Sequence, residues 1–223
     1  VTKSGGSGVT TFSGGPFNNL GTVTISSGVL ALTAGGTSAG SFNVARGARL
    51  DFPAGTHTLG AGAAFTGGGA VRLAGPATLT LAADVAAVNL DVAGGTLDGP
   101  GSLKVTGMLQ WTAGTMRGAG TTTIAAGGVL GIDGSSAKNL QRTINNAGAT
   151  TWSSNGDVLC GEGVAFNNQP GGTFAIQNDR TWSFNAGGTP PQFNNLAGST
   201  LTKGAGSGTT TFLNVPFNNN GTV

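Results

Sequence analysis

The sequence contains one cysteine, one histidine and no tyrosine, and only 8% of its 223 residues are charged. The single cysteine, Cys160, rules out an intrachain disulfide framework and a cysteine-cluster zinc site. The single histidine, His57, cannot supply a multi-histidine metal site. We therefore expect no cofactor and no metal, and we expect Cys160 to be a small buried hydrophobic residue.

The sequence also lacks concentrated positive charge and long apolar runs. Its ten basic residues are scattered singly, whereas nucleic-acid binding needs a basic stripe, usually with stacking aromatic side chains. The apolar runs are too short to span a bilayer. The sequence therefore predicts no nucleic-acid partner and no membrane insertion.

Glycine is abundant, at 43 residues, yet 38% of the chain is hydrophobic. Disordered chains lack that much apolar content. The apolar residues alternate with polar ones in short runs, which is typical of half-buried strands. In "ARLDF", for example, Leu50 and Phe52 face inward and Asp51 faces outward. We expect core columns that include Leu30, Leu50, Val71, Leu79, Leu90, Leu103, Leu109, Ile124, Leu130 and Ile176.

An apolar residue followed by asparagine recurs along the chain. Several of the intervals are about 22 to 27 residues, which is the length of one coil of a parallel β-helix. An antiparallel sandwich gives no reason for such a spacing. Amides stacked on successive coils can bond to one another and so satisfy their polar groups, with the neighbouring phenyl rings stacked inside. The expected structural Asn ladder comprises Asn18, Asn43, Asn89, Asn145, Asn167, Asn194 and Asn218.

The fold class predicted from these patterns is all-β. We expect a right-handed parallel β-helix (β-solenoid) of nine or ten coils of about 20–27 residues, continuous over 1–223.

The segment "GSGVTTFSGGPFNNLGTV" at 6–23 returns near the other end as "GSGTTTFLNVPFNNNGTV" at 206–223. The match extends back to "VTK" at 1–3 and "LTK" at 201–203, so the two copies span 1–23 and 201–223. We interpret these two ranges as equivalent coils of successive tandem units. A chain cut from such an array would begin and end in mid-solenoid, so we expect adjacent copies of the same repeat as head-to-tail partners.

The order of segments resembles a tandem unit of roughly 200 residues in very large bacterial surface and secreted proteins, often described as β-strand-repeat or adhesin-like proteins. The resemblance rests on "TTFSGGPFNNLGTVTISSGVLAL", "GTHTLGAGAAFTGGGAVRL", "GMLQWTAGTMRGAGTTTIAAGGVLGIDGSSAKNLQRTINNAGATTW", "FNNQPGGTFAIQND" and "FNNLAGSTLTKGAGSGTTTF", and it covers essentially the whole chain. It implies an extracellular, cell-surface protein with a structural or adhesive role. The resemblance carries over no catalytic motif.

The candidates for catalysis are sparse, and we expect no enzyme. "GTSAG" at 36–40 formally matches a nucleophile elbow around Ser38, but that motif requires a following helix, and the only available base is His57. We expect His57 to be an outward-facing strand residue. Asp157 and Glu162 could meet across a turn as a carboxylate pair, but we expect both to be solvated turn residues or surface charges.

Three other functions remain open beside the structural one. A carbohydrate-binding module that takes surface glycans could use Trp111, Trp152 and Trp182 as stacking faces, although Trp111 shares its strand phase with Leu109 and should be buried. A polysaccharide lyase or hydrolase could use Asp157 and Glu162. An ice-binding solenoid could use Thr-x-Thr pairs, which lie at residues 22/24, 78/80, 121/123, 200/202 and 209/211.

Overall fold

The computed structural model describes residues 1–223, which form 26 β-strands and no helix. No helix therefore exists that could cross a membrane. Every strand pairing is parallel, and each strand between the two ends pairs with strands on the coils that precede and follow it. The chain thus winds into a β-solenoid of about ten turns, which confirms the fold expected from the sequence; its handedness stays a prediction.

The solenoid has three faces, named A, B and C in the order in which the chain first visits them. Two long strands, β12 (Val85–Asp98) and β13 (Leu103–Arg117), run along all three faces. Face A also contains β1 (Thr2–Lys3), β3 (Thr22–Ile25), β6 (Ser41–Val44), β9 (Ala64–Thr66), β14 (Thr122–Ile124), β17 (Ile144–Asn146), β20 (Ala165–Asn168), β23 (Gln192–Asn195) and β26 (Phe217–Asn219).

The other two faces are built in the same way. Face B contains β2 (Val9–Phe12), β4 (Val29–Leu32), β7 (Arg49–Phe52), β10 (Ala70–Ala74), β15 (Val129–Ile132), β18 (Ala149–Trp152), β21 (Thr173–Ile176) and β24 (Thr200–Lys203). Face C contains β5 (Gly36–Ser38), β8 (Thr56–Leu59), β11 (Thr78–Leu81), β16 (Lys138–Gln141), β19 (Val158–Cys160), β22 (Thr181–Phe184) and β25 (Thr211–Leu213).

Coil length varies with the loops at the corners. The coil from Ala87 to its partner Val105 is short, because β12 turns two of its corners without leaving the strand. The coil from Thr181 to its partner Thr211 is the longest, because loops are inserted between its strands. The range of coil lengths is therefore wider, at both ends, than the range of about 20–27 residues that the asparagine spacing predicted.

The interior is one continuous apolar column in which all ten expected core residues are buried. Leu109 and Leu130, for instance, pair on adjacent coils of face B and are completely buried. The alternation found in the sequence therefore assigned these side chains to the correct side of each strand. His57 is the exception: we expected it to face outward, but it lies inside with 3% exposure. It packs against Phe52, and Leu59 of its own strand faces the same way.

Candidate functional site

Two parallel columns of asparagine run along face A at its C-terminal end. In the inner column, Asn146 donates to Asn168, Asn168 to Asn195 and Asn195 to Asn219, at 2.9, 2.9 and 2.8 Å. Asn146, Asn168 and Asn195 are fully buried. In the low dielectric of the interior an unpaired amide would be costly, so this ladder is what permits amides inside the core.

The outer column has the opposite direction of donation. Asn167 donates to Asn145, Asn194 to Asn167 and Asn218 to Asn194, at 2.9, 2.8 and 2.8 Å. These four residues were expected from the sequence to form a ladder, and their hydrogen bonds are present. The inner column was missed, although the doubled "NN" in the sequence was its signal.

The remaining three asparagines of the expected ladder lie outside it. Asn43 is flanked on the adjacent coils by Thr24 and Thr66. Asn89 donates to the carbonyl of Gly69 and accepts from the backbone of Met108. Because the neighbouring coils carry no asparagine at these positions, the two amides cannot form a ladder.

Asn18 lies at face C rather than face A, beside Thr37. Its Oδ1 accepts from the backbone and hydroxyl of Thr37, at 2.9 and 3.1 Å, and its Nδ2 has no partner within the chain. The next residue, Asn19, adopts the geometry of the inner ladder: its Oδ1 accepts from Gly21 and its Nδ2 donates to Ser41 of the next coil.

Phenyl rings stack beside the ladders. The Phe166 and Phe193 rings lie 5.0 Å apart at 10°, and the Phe193 and Phe217 rings lie 5.4 Å apart at 19°. Phe217 is 37% exposed, because it belongs to the last rung of face A. The column of phenyl rings expected inside the solenoid is therefore present in the C-terminal coils and reaches its outermost rung.

Two buried cations were not anticipated from the sequence. The Arg142 guanidinium is completely buried and donates to the carbonyls of Gly99, Gly101, Arg117 and Thr121 and to the Thr122 hydroxyl. It therefore bonds to backbone carbonyls of two successive coils at one corner. Burial lowers its pKa to about 10.

Lys138 is the second buried cation, and its ammonium donates to the carbonyls of Gly134 and Ser136. Burial lowers its pKa to about 8, and the charges of Asp133 and Asp157 oppose that shift only in part. Lys138 and Arg142 share the strand phase of buried Leu140. The alternation along the strand therefore indicated that both side chains face inward, whereas their charge led us to expect them on the outside.

A row of outward polar side chains follows the axis of face C. In order along the axis, this polar lane consists of Thr37, Thr58, Thr80, Asp98, Arg117 and Gln141. Its end opens into a groove of about 660 Å³ that also includes Thr143 and Glu162. Within the groove, Arg117 forms an ion pair with Asp98 at 2.8 Å.

The other candidates from the sequence are not brought together. Asp157 accepts from the backbone of Thr181, while exposed Glu162 lies in the groove, and no hydrogen bond joins the two carboxylates. His57 faces the carbonyl of Ala54, with Nε2 at 3.0 Å, and not Ser38.

The aromatic and threonine candidates are placed as follows. Trp111, Trp152 and Trp182 are all buried, so none presents a stacking face to solvent. The Thr-x-Thr pairs are distributed over different faces: 22/24 lie on A, 78/80 on C and 200/202 on B. Cys160 is buried, as expected, and burial raises the pKa of its thiol.

No family model, curated protein or solved structure matches the chain.

Proposed function

We propose that the chain is a structural and adhesive repeat segment, a stalk or filament-forming unit, of a large extracellular bacterial surface protein. The proposal rests on one observation: the two copies of the repeated sequence lie at opposite ends of the solenoid. Residues 1–23 form the first coil and begin the second, and residues 201–223 form the outermost coils at the other end. The segment that recurs in sequence is thus the segment on which the next coils would stack.

The exposed large apolar side chains support axial stacking. Phe12 on the first coil and Phe217 on the last rung of face A share the strand phase of buried Leu32 and Phe193, yet they are 39% and 37% exposed. Solenoid repeats contact only their neighbours along the axis, so each added unit lengthens the rod and adds one more interface. Successive rungs lie about 4.8 Å apart.

The proposal is tested with a chain of two units, in which residues 24–223 are repeated after residue 223. About nine added turns at about 4.8 Å each should lengthen the rod by about 45 Å with an unchanged cross-section. Small-angle X-ray scattering of the one-unit and two-unit chains measures both quantities. A two-unit particle that widens instead of lengthening would contradict a stalk. Labelling of intact source cells by an antibody against the chain tests the extracellular location.

Glycan binding is a second candidate function, favoured by the polar lane and its groove. Arg117, Gln141 and Glu162 supply charged and amide groups suited to hydroxyl-rich ligands. A glycan array probed with the wild type and with Arg117→Ala/Gln141→Ala tests this function. Saturable binding that the double variant loses would support it. The matched control is Thr22→Ala/Thr24→Ala, which alters the outward side of face A and should leave such binding unchanged.

A further inference from the structure

The two copies of the repeated segment do not occupy the same face. Thr2–Lys3 lies on face A, whereas Thr202 and Lys203 lie on face B. Phe12 lies on face B, whereas Phe212 lies on face C. Asn19 bridges to Ser38 on face C, whereas Asn219 pairs with Asn195 on face A. Every aligned position is therefore displaced by one face.

This displacement follows from the number of turns in one unit. β1 occupies face A of the first coil, and its sequence counterpart in β24 occupies face B of the tenth coil. Nine full turns and one additional face separate them. One repeat of the sequence thus corresponds to nine and one-third turns.

We propose that a second copy of this chain docks head to tail on the last coils with a rotation of one face, so that each residue of 2–19 stacks on the residue numbered 200 higher. Thr222 already pairs with Thr200, so the docked strand begins beyond it, with Thr2 over Thr202. This inference rests on the proposed function, and it specifies the geometry of the junction. Phe17 would then continue the column of Phe217, and Asn18 and Asn19 would continue the two ladders.

The free hydrogen-bonding groups at the two ends match in this arrangement. In the outer ladder each asparagine donates to the one before it, which leaves Asn218 Oδ1 without a partner in the chain. Asn18 Nδ2 is also without a partner, so it can donate to Asn218 and preserve the direction of the ladder.

In the inner ladder the direction of donation is reversed, and the docked copy would accept a hydrogen bond instead of donating one. Asn219 accepts from Asn195, and its Nδ2 has no partner in the chain. Asn19 already has the internal bonds of an inner-ladder residue, since its Oδ1 accepts from Gly21 as Asn146 Oδ1 accepts from Gly148. That Oδ1 can also accept from Asn219, as Asn168 Oδ1 accepts from Asn146.

The unrotated arrangement, with each face on its own counterpart, pairs unlike residues. The strand registers of face B, followed from coil to coil, then place Thr11 over Thr202 and Phe12 over Lys203. Both ladders and the phenyl column would stop at the junction, because the first strand of face A is Thr2–Lys3.

The rotated arrangement brings one pair of like charges together. Lys3 lies over Lys203 in it. The Lys203 ammonium is already paired with Asp179 at 2.7 Å, which offsets the repulsion.

In a continuous array the same rotation would place equivalent residues of successive units on successive faces of the rod. The polar lane of one unit would lie on face C and that of the next unit on a different face. Three units, which is 28 turns, would return it to the first. A surface feature repeated in sequence would thus be presented around the whole circumference of the rod.

Disulfide trapping tests the junction, with single variants Asn18→Cys and Asn218→Cys mixed at high concentration and oxidised. Stacked positions on adjacent rungs are about 4.8 Å apart, within the Cα separation that a disulfide spans. We expect a covalent dimer in this mixture. The matched control mixes Thr11→Cys with Thr202→Cys, the pair that the unrotated arrangement would bring together, and should give at least about tenfold less dimer. Circular dichroism of each variant verifies the fold, and the wild type verifies that buried Cys160 does not cross-link.

Each outcome decides between the arrangements. Equal or preferred cross-linking of Thr11→Cys with Thr202→Cys would overturn the rotation and leave the stacking function in place. No cross-link in either mixture would overturn the docking of separate copies. Failure of the proposed function shows separately, as a two-unit chain that does not lengthen along the axis.

Discussion

Asn168 donates its side-chain amide to Asn195 Oδ1 at 2.9 Å, although 27 residues of sequence separate them. The same amide also donates to the carbonyl of Thr200 at 3.0 Å, and Asn168 Oδ1 accepts from Asn146. Asn168 is fully buried, whereas Asn167, one residue earlier, faces the solvent side of the same strand. Adjacent asparagines therefore form similar ladders in very different surroundings.

Replacing Asn168 with alanine should destabilise the protein by about 2–4 kcal/mol, because the change leaves buried polar groups of Asn146 and Asn195 unpaired. Replacing Asn167 with alanine should cost less than about 1 kcal/mol, since water can satisfy the groups released there. Urea unfolding followed by circular dichroism measures both values. Equal losses of unfolding free energy in the two variants would mean that burial does not determine how much a ladder asparagine contributes to stability.

The alternation of apolar residues was sufficient to predict the strands and the core columns, and the recurrence of asparagine at coil length was needed to predict the parallel stacking. These patterns depend only on the period of two in a strand and on the length of one coil, both of which can be read locally. The outer ladder was predictable for the same reason, since Asn145, Asn167, Asn194 and Asn218 recur at coil intervals.

The features that sequence reasoning missed depend on which residues become neighbours on adjacent coils. Because the coils differ so much in length, a motif alone cannot reveal that Asn43 stacks on Thr66 or that Arg142 meets the carbonyls of other coils. The displacement of 1–23 relative to 201–223 by one face has the same origin. It follows from the total number of turns, which depends on every coil between them.

Replacing Arg142 with methionine should destabilise the fold by about 3 kcal/mol or more, because of the polar groups that it leaves unpaired. Methionine fills similar space but leaves the carbonyl of Gly101 and the hydroxyl of Thr122 without the guanidinium. The carbonyls of Gly99 and Thr121 keep backbone donors, from Gly120 and Leu103. Arg142→Lys keeps the charge but not the forked donor geometry and should fall in between. The matched control is Arg117→Met at an exposed position, which should cost less than about 1 kcal/mol. Urea unfolding measures all three variants, and a stable Arg142→Met protein would show that the Gly101 carbonyl and the Thr122 hydroxyl find other partners.

Replacing Leu109 with aspartate should cost several kcal/mol, on the order of the penalty for an unpaired buried charge. Leu109 is completely buried between Leu90 and Leu130 on the adjacent coils of face B. Lys104→Gln on the same long strand changes an exposed side chain and should leave thermal stability nearly unchanged. Differential scanning calorimetry compares the two variants. Similar midpoints would contradict the assignment of these side chains to the inside and the outside.

Stability should rise as the pH is raised from about 8 towards the ordinary pKa of lysine, because of Lys138. Its pKa is about 8 in the folded state and 10.5 in the absence of burial, so in this window the unfolded state holds the additional proton. Deprotonation then favours the folded state. The full shift corresponds to about 3 kcal/mol. Above about pH 9 the raised pKa of the Cys160 thiol acts in the opposite direction, since the thiol ionises first in the unfolded chain.

Comparison with Lys138→Met separates the two effects, because Cys160 is present in both proteins. The difference in unfolding free energy between the wild type and Lys138→Met should move in favour of the wild type as the pH rises from 8 to 10. Lys104→Met, at an exposed lysine, is the matched control, and its difference from the wild type should stay constant. Urea unfolding at half-unit pH steps provides the measurement. A pH-independent difference for Lys138→Met would show that burial does not lower the pKa of this ammonium in the folded protein.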